Sequence, residues 1–320
     1  MIRDVLIVGA GPAGLATAIA ARQHQLDYAL VEKGALVNSI FKFPTHMVFF
    51  TTPELLEIGR LPLVTPFEKP TRLEALRYYR RVVDTYDLSI AFDETVTAIE
   101  RDADGVFTVE TTAPRGTTRV RQARAVVLAI GYYDRPNMLG VPGEDLPHVS
   151  HYYTDAHPYY RRRVVVVGGK NSAAEACLEL FRAGAQVTLV HRHPALGDTI
   201  KYWVRPDIEN RIKEGSVAAR FETRVVAISP TRVTVEGPGG REEIPADAVF
   251  LLTGYHPDAD LMRKAGVEPD RFPMNWDAII NAAKKSKAAT PGTESLHVEW
   301  DLPGNWMWQV LVFSNGGTML

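Results

Sequence analysis

The 320-residue chain has a single cysteine, Cys177, and so neither an internal disulfide nor a Cys-X-X-Cys pair. That excludes an intramolecular dithiol relay and points to a reducing, cytoplasmic setting. Charge of one sign is lacking as well: 36 Lys and Arg against 38 Asp and Glu leave a formal net charge of -2. Neither nucleic acid nor an anionic membrane would find an electrostatic footprint on such a chain. No uninterrupted apolar run reaches the roughly eighteen residues that a membrane span needs. The apolar start VLIVGAGPAGLATAIAA could pass for the core of a secretion signal, but Gly9, Gly11, Pro12 and Gly14 break it. A soluble protein is expected, long enough for two domains with a core each.

Short β-branched runs alternate with helical stretches, the pattern of parallel sheets covered by helices. Strands are expected at 4–8, 28–31, 125–130, 163–167, 186–190 and 248–252, and the first and fourth each run into a glycine-rich turn and an alanine-rich helix. Alternating polarity from Thr95 to Val120 around Asp104-Gly105 predicts an antiparallel hairpin, and residues 225–244, turning in Gly237-Pro238-Gly239-Gly240, predict another. The expected fold class is α/β: two dinucleotide-binding, Rossmann-like domains with parallel sheets, the second inserted into the first. Residues 1–150 would begin the first domain, 151–252 form the second, and 253–320 return to the first with an atypical tail. The boundary is expected in the polar, aromatic stretch HYYTDAHPYYRRR. The lysine-rich NAAKKSKAATPGTES in the tail reads as a solvated loop or a disordered segment.

Residues 9–14 read Gly-Ala-Gly-Pro-Ala-Gly between an apolar strand and an alanine-rich helix. Gly9 permits the tight turn, Gly11 the close approach of a pyrophosphate, and Gly14 the close packing of helix on strand. Pro12 and Ala13 open the helix, whose N-terminus offers unpaired N–H groups to phosphates. Glu32 ends the second strand, eighteen residues after Gly14, where a carboxylate can accept from an adenosine ribose. A dinucleotide site is expected here.

The sequence RVVVVGGKNSAAEAC at 163–177 repeats the template as Gly168-Gly169-Lys170-Asn171-Ser172-Ala173, with Lys170 in place of the middle glycine. A Cβ there obstructs the backbone, although the ammonium could pair with a phosphate. A tight strand-to-helix turn without ligand is the competing reading. The next strand ends in His191 and Arg192, where the first unit carries Glu32. A cation at that place suits a 2′-phosphate, so NADPH is favoured over NADH, against the alternative of a solvated surface arginine. Two such folds in one chain suggest a bound flavin exchanging hydride with a nicotinamide.

These residues resemble the two-domain flavoproteins related to thioredoxin reductase, and within them the bacillithiol-disulfide reductase (YpdA-type) family. The resemblance also rests on KFPTHMVFFTTPELLEIG, IGYYDRPNMLGVPGEDLPHVSHYYTDAHPYY, IKYWVRPDIENRI and TGYHPDADLM, and covers about residues 1–268. It implies FAD at the first site and NADPH at the second. Lys33, Ile40, His46, Phe50, Thr51 and Val96 would belong to the first site, and Gly131 to the turn that leaves the FAD domain. Read as residues alone, Phe49 and Phe50 are equally well core, and His46 reads as a satisfied buried histidine. The implied partner is a small-molecule disulfide; homodimers are common among such flavoproteins.

Two departures stand out. The family carries a cysteine in its first loop, Gly-Pro-Cys-Gly, where this chain has Ala13; Cys177 reads as a small core residue of the second helix. After about residue 270 the family's closing strand, turn and helix find no match. Three readings follow: an NADPH:FAD oxidoreductase acting on a low-molecular-weight disulfide, a reductase of the same architecture that passes electrons to ferredoxin, quinone or oxygen, and a non-catalytic nucleotide-binding redox sensor.

Overall fold

The computed structural model describes residues 1–267 and the strand Leu311–Phe313; the lysine-rich stretch and the rest of the tail lie outside the described residues. The chain divides into two compact units. Met1–Lys42, Thr51–Arg135 and the chain from Pro257 form the first, and Phe43–Phe50 with Pro136–His256 form the second.

The first unit opens with β1 (Ile2–Val8), α1 (Pro12–Gln23) and β2 (Tyr28–Val31), then α2 (Asn38–Phe41) and α3 (Arg72–Thr85). Thr71 and Glu74 start α3 as a reciprocal capping box, the Thr-X-X-Glu signature written in the sequence. A meander follows: β3 (Thr95–Arg101), β4 (Phe107–Thr112) and β5 (Thr118–Leu128). The sheet order is β2-β1-β5-β4-β3; β1 is parallel to β2 and β5, β4 antiparallel to β5 and β3, and Leu311–Phe313 pairs antiparallel with β5. The strand expected at 125–130 is thus the end of a longer one. The exposed first half of β5 closes the predicted hairpin into a meander, and its buried second half pairs with β1. Leu6, Val8, Val126 and Leu128 meet Ile99, Phe107, Val109 and Met262 in one core cluster, while α1 packs on β1 and β2.

The second unit contains β6 (Val149–Ser150), β7 (Arg163–Val167), α4 (Asn171–Arg182), β8 (Gln186–Val190), α5 (Arg205–Lys213) and β9 (Ala218–Arg220). It continues through β10 (Arg224–Ser229), β11 (Arg232–Gly237), β12 (Gly240–Pro245) and β13 (Ala248–Leu251). Its main sheet, β6-β13-β7-β8-β9, is parallel throughout. The run of valines in β7 is what a strand covered on both faces requires. Val164 and Val166 enter the cluster that includes Cys177, Leu180 and Leu189, whereas Val165 and Val167 enter the one built from the β10–β12 meander. The hairpin expected at 225–244 is therefore a three-stranded meander that covers the second face.

The units part between Arg135 and Pro136, ahead of the stretch HYYTDAHPYYRRR. Its aromatics belong to a core rather than to a linker: Tyr153 and Tyr159 lie edge-on to Phe250 at 5.3 and 5.2 Å. Where the chain enters and leaves the second unit it pairs with itself, Asn137 N donating to Gly254 O at 2.9 Å and Thr253 Oγ1 to Asn137 O at 2.8 Å. Phe43–Phe50 forms an eight-residue strap on this unit, with Phe49 fully buried and Thr45 N donating to Thr154 O at 2.8 Å.

Candidate functional site

In the first glycine turn each glycine has its own physical reason. Gly9 sits at φ +105°, and a Cβ there would lie 2.4 Å from Ala129 O. A Cβ on Gly14 would lie 1.8 Å from Gly9 O, so the helix can pack this closely on the strand only without a side chain. Around Gly11, by contrast, nothing lies within 4 Å of a Cβ position, and the backbone is bare. Gly11 is the N-cap of α1 in an extended conformation, with no side-chain cap, no acidic residue in the first turn and Pro12 next. The positive end of the helix is therefore uncompensated, which suits an anion.

Glu32 is only 6% exposed at the end of β2. Its Oε2 accepts from Ala10 N at 2.8 Å and its Oε1 from Gly34 N at 2.9 Å. Burial pushes this carboxyl above the ordinary value in spite of those two bonds. Each oxygen keeps a lone pair for a further donor such as a ribose hydroxyl. Nearby in sequence, Lys33 and Lys42 both pair with Asp134, at 2.8 and 2.9 Å. Burial acts to raise the Asp134 carboxyl, but the hydrogen bonds and charges of the two lysines hold it below the usual range.

The second turn is built alike with a different filling. Gly168 has φ +151°, and a Cβ on Gly169 would fall 2.2–2.5 Å from the His191 ring. The imidazole occupies the room that a side chain on residue 169 would take. Lys170, exposed and extended, is the N-cap of α4, again without a side-chain cap or an acid in the first turn. Asn171 is turned inward: its Oδ1 accepts from Lys201 N at 2.8 Å and its Nδ2 donates to Thr199 O at 2.9 Å. Ser172 is exposed and Ala173 buried. Burial lowers the His191 pKa, helped by the charges of His193 and Arg192, so its ring is neutral near pH 7. Arg192 is exposed, with Nε 3.2 Å from His193 Nε2, and supplies the fixed cation.

The turns thus bring together Gly9, Gly11, Pro12, Ala13, Gly14 and Glu32 in one unit, and Gly168 to Ala173 with His191 and Arg192 in the other. The remaining predicted residues are placed differently. Ile40 is buried in α2, Thr51 Oγ1 donates to Thr52 O at 2.8 Å, and Gly131 takes φ +61°. Val96 is half-buried and packs on the core cluster around Phe107. His46 is not a buried histidine: it is exposed on the strap, 4.0 Å from Asp155 Oδ2. Phe50 is not core either; 55% exposed, it stacks on Trp203 at 5.9 Å, while Phe49 alone turns inward. The strap turns at Pro44–Met47, Met47 N donating to Pro44 O at 3.1 Å, and leaves Phe49 buried beside an exposed Phe50. The sequence reading missed Asp134, His193 and Lys201, of which only Lys201 carried a signal, a lone cation among the apolar residues of TIKYWV.

Residues 6–277 match the family model described as pyridine nucleotide-disulphide oxidoreductase. The chain belongs to that family. Other oxidoreductases of the family are similar over most of their length. Bacilliredoxin reductase Bdr of Bacillus subtilis is 41% identical over 85% of this chain and 83% of its own. The solved structure of bacillithiol disulfide reductase Bdr (YpdA) from Bacillus cereus superposes with a TM-score of 0.81 at 40% identity, covering 83% of this chain and 82% of that one. A ferredoxin–NADP reductase of Ignicoccus hospitalis is 25% identical over 83% of this chain and 82% of its own. The family resemblance drawn from the quoted motifs is thereby established, as is a flavin-dependent, NAD(P)H-using oxidoreductase. Both glycine turns fit such cofactors, each offering an uncapped helix start beside a strand-end polar residue. Among the described residues no helix is long and apolar enough to cross a membrane.

Proposed function

We propose that this chain is an NADPH:FAD oxidoreductase that reduces a low-molecular-weight disulfide of the bacillithiol type. One observation above all supports the reading: two strand–glycine turn–helix units in one chain, both with uncapped helix N-termini, one flanked by Glu32 and the other by Arg192. A bound flavin would supply the redox chemistry, taking a hydride from the nicotinamide and handing two electrons to the disulfide. The residues of the chain bind and orient. Gly11 and the first N–H groups of α1 hold the pyrophosphate, Glu32 accepts from the ribose, and Lys170 and Arg192 offer cations to the second dinucleotide. The second unit is read as an insertion, since the chain leaves the first unit after Arg135 and returns at Pro257. A reducing cytoplasm suits a chain whose one cysteine is free.

The protein itself brings no thiol to the reaction. Ala13 stands where the family has its cysteine, and Cys177 is fully buried, its thiol pushed up by burial. The disulfide is then reduced without a mixed disulfide to the chain. The same observation favours a second reading, in which ferredoxin or quinone is the acceptor.

The test is an anaerobic absorbance spectrum of the purified protein. A flavin spectrum that NADPH bleaches faster than NADH is expected, with oxidised bacillithiol, ferredoxin and quinone then compared as agents that restore the colour. A colourless protein that takes up no added FAD would sink both readings. Arg192→Ala is expected to raise KM for NADPH about tenfold and to leave KM for NADH unchanged, the loss of one charge-assisted contact to the 2′-phosphate. Equal effects on the two nucleotides, in steady-state kinetics, would remove Arg192 from that role.

A further inference from the structure

Lys201 is 4% exposed, and lysines are seldom buried this far without a partner. Its Nζ is paired with Glu175 on α4 and donates to Val48 O of the strap at 2.8 Å. Burial pushes the Glu175 carboxyl up, against the lowering effect of the lysine. The backbone N of the same residue donates to Asn171 Oδ1, and Asn171 also holds Thr199 O. Asn171, the first residue of α4, is thus linked by hydrogen bonds to the segment 199–201, and the side chain of Lys201 carries the link on to the strap. Trp203 makes a second link two residues on, with its ring stacked on Phe50 and 5.8 Å from the Lys201 ammonium.

We infer that Lys201 is a positioning residue: it ties the strap Phe43–Phe50 to the second glycine turn, so that a dinucleotide held at that turn fixes the conformation of the strap. The inference rests on the reading of that turn as the NADPH site. Its physical basis is that a buried ammonium with fixed acceptors has one allowed place, and a buried ion pair can fix register even where it adds little stability. The strap is covalently continuous with Lys42 on one side and Thr51 on the other, both in the first unit. A strap held in one conformation presents the exposed His46 and Phe50 in one arrangement.

The experiment follows hydrogen exchange of residues 43–50 in the flavin-loaded protein, with and without saturating NADP+, alongside a separate titration of NADP+ affinity. In the wild type, NADP+ is expected to slow exchange in the strap by about tenfold. The variant is Lys201→Met with Glu175→Leu, which removes both buried charges together and leaves no uncompensated carboxylate. It is expected to bind NADP+ within about threefold of the wild type, to show no slowing in the strap, and to lose up to about 100-fold in kcat with KM for NADPH little changed. Strap exchange that ignores NADP+ in a wild type that binds it, or slowing that survives in the variant, overturns the inference. A wild type that binds no NADP+ fails differently, by removing the reading of the second turn itself.

Discussion

Gly14→Ala is expected to give a colourless protein. The added Cβ would stand 1.8 Å from Gly9 O, a backbone atom with no flexible end to move aside. Gly9 cannot yield readily, because its N–H is held by Val31 O at 2.8 Å and its φ is already +105°. Overpacking of this kind costs about 1–3 kcal/mol and sometimes more, and here the strain falls on the turn that would hold the pyrophosphate. The ratio of flavin to protein absorbance in the purified variant is expected to fall at least about tenfold, with a lowered Tm. Gly11→Ala is the informative companion. Nothing lies within 4 Å of its Cβ, so Tm should stay at the wild-type value while flavin is still lost. A coloured Gly14→Ala protein of unchanged Tm would show that the turn has slack the geometry does not reveal.

The second large effect concerns stability. Glu94, just before β3, is 2% exposed and is held by Arg121 at 2.7 and 3.1 Å, by Thr111 Oγ1 at 2.9 Å and by Arg119. Burial alone would raise its carboxyl, but the hydrogen bonds of Arg121 and Thr111 and the two guanidinium charges outweigh it and hold the pKa below the ordinary 4.5. A carboxylate depressed in the folded state stabilises it above the unfolded value, and the stabilisation is lost as pH falls through the folded one. Glu94→Ala leaves the mostly buried Arg121 without its counter-charge, only Thr111 Oγ1 remaining as an acceptor at 3.0 Å, and is expected to cost about 3–5 kcal/mol at pH 7. Denaturant unfolding from pH 7 down to about pH 3 should bring wild type and Glu94→Gln closer together below about pH 4.5. Parallel curves over that range would mean that the cluster contributes no pH-dependent stability.

The glycine turns were legible because their constraints are local: a positive φ, a close approach and an uncapped helix start leave few residue types to choose from. The same holds for β7, whose unbroken valines announce a strand covered on both faces. The strap was not legible, since Phe43–Phe50 follows one unit in sequence and packs on the other, and nothing local marks that choice. The burial expected of His46, and of Phe50 as core, failed for this reason. Likewise, Tyr153 and Tyr159 look like a polar aromatic linker until Phe250, almost a hundred residues away, gives them a core to enter. Lys201 illustrates the general limit, because the burial of a charge is written in its partners, Glu175 and Val48, rather than in its neighbours.

The pairing of Asn137 with Thr253 and Gly254 has a consequence for protein engineering. With both ends of Pro136–His256 held side by side, the segment has the geometry of a cassette that could be grafted into another host loop without stretching either end. The strap limits that portability. A cassette cut at those ends would leave Phe43–Phe50 behind, opening the place that Phe49 fills and stripping Lys201 of the Val48 carbonyl. A transplantable version has to carry the strap as a second, separately joined piece, so this fold is interlaced by two threads and not one.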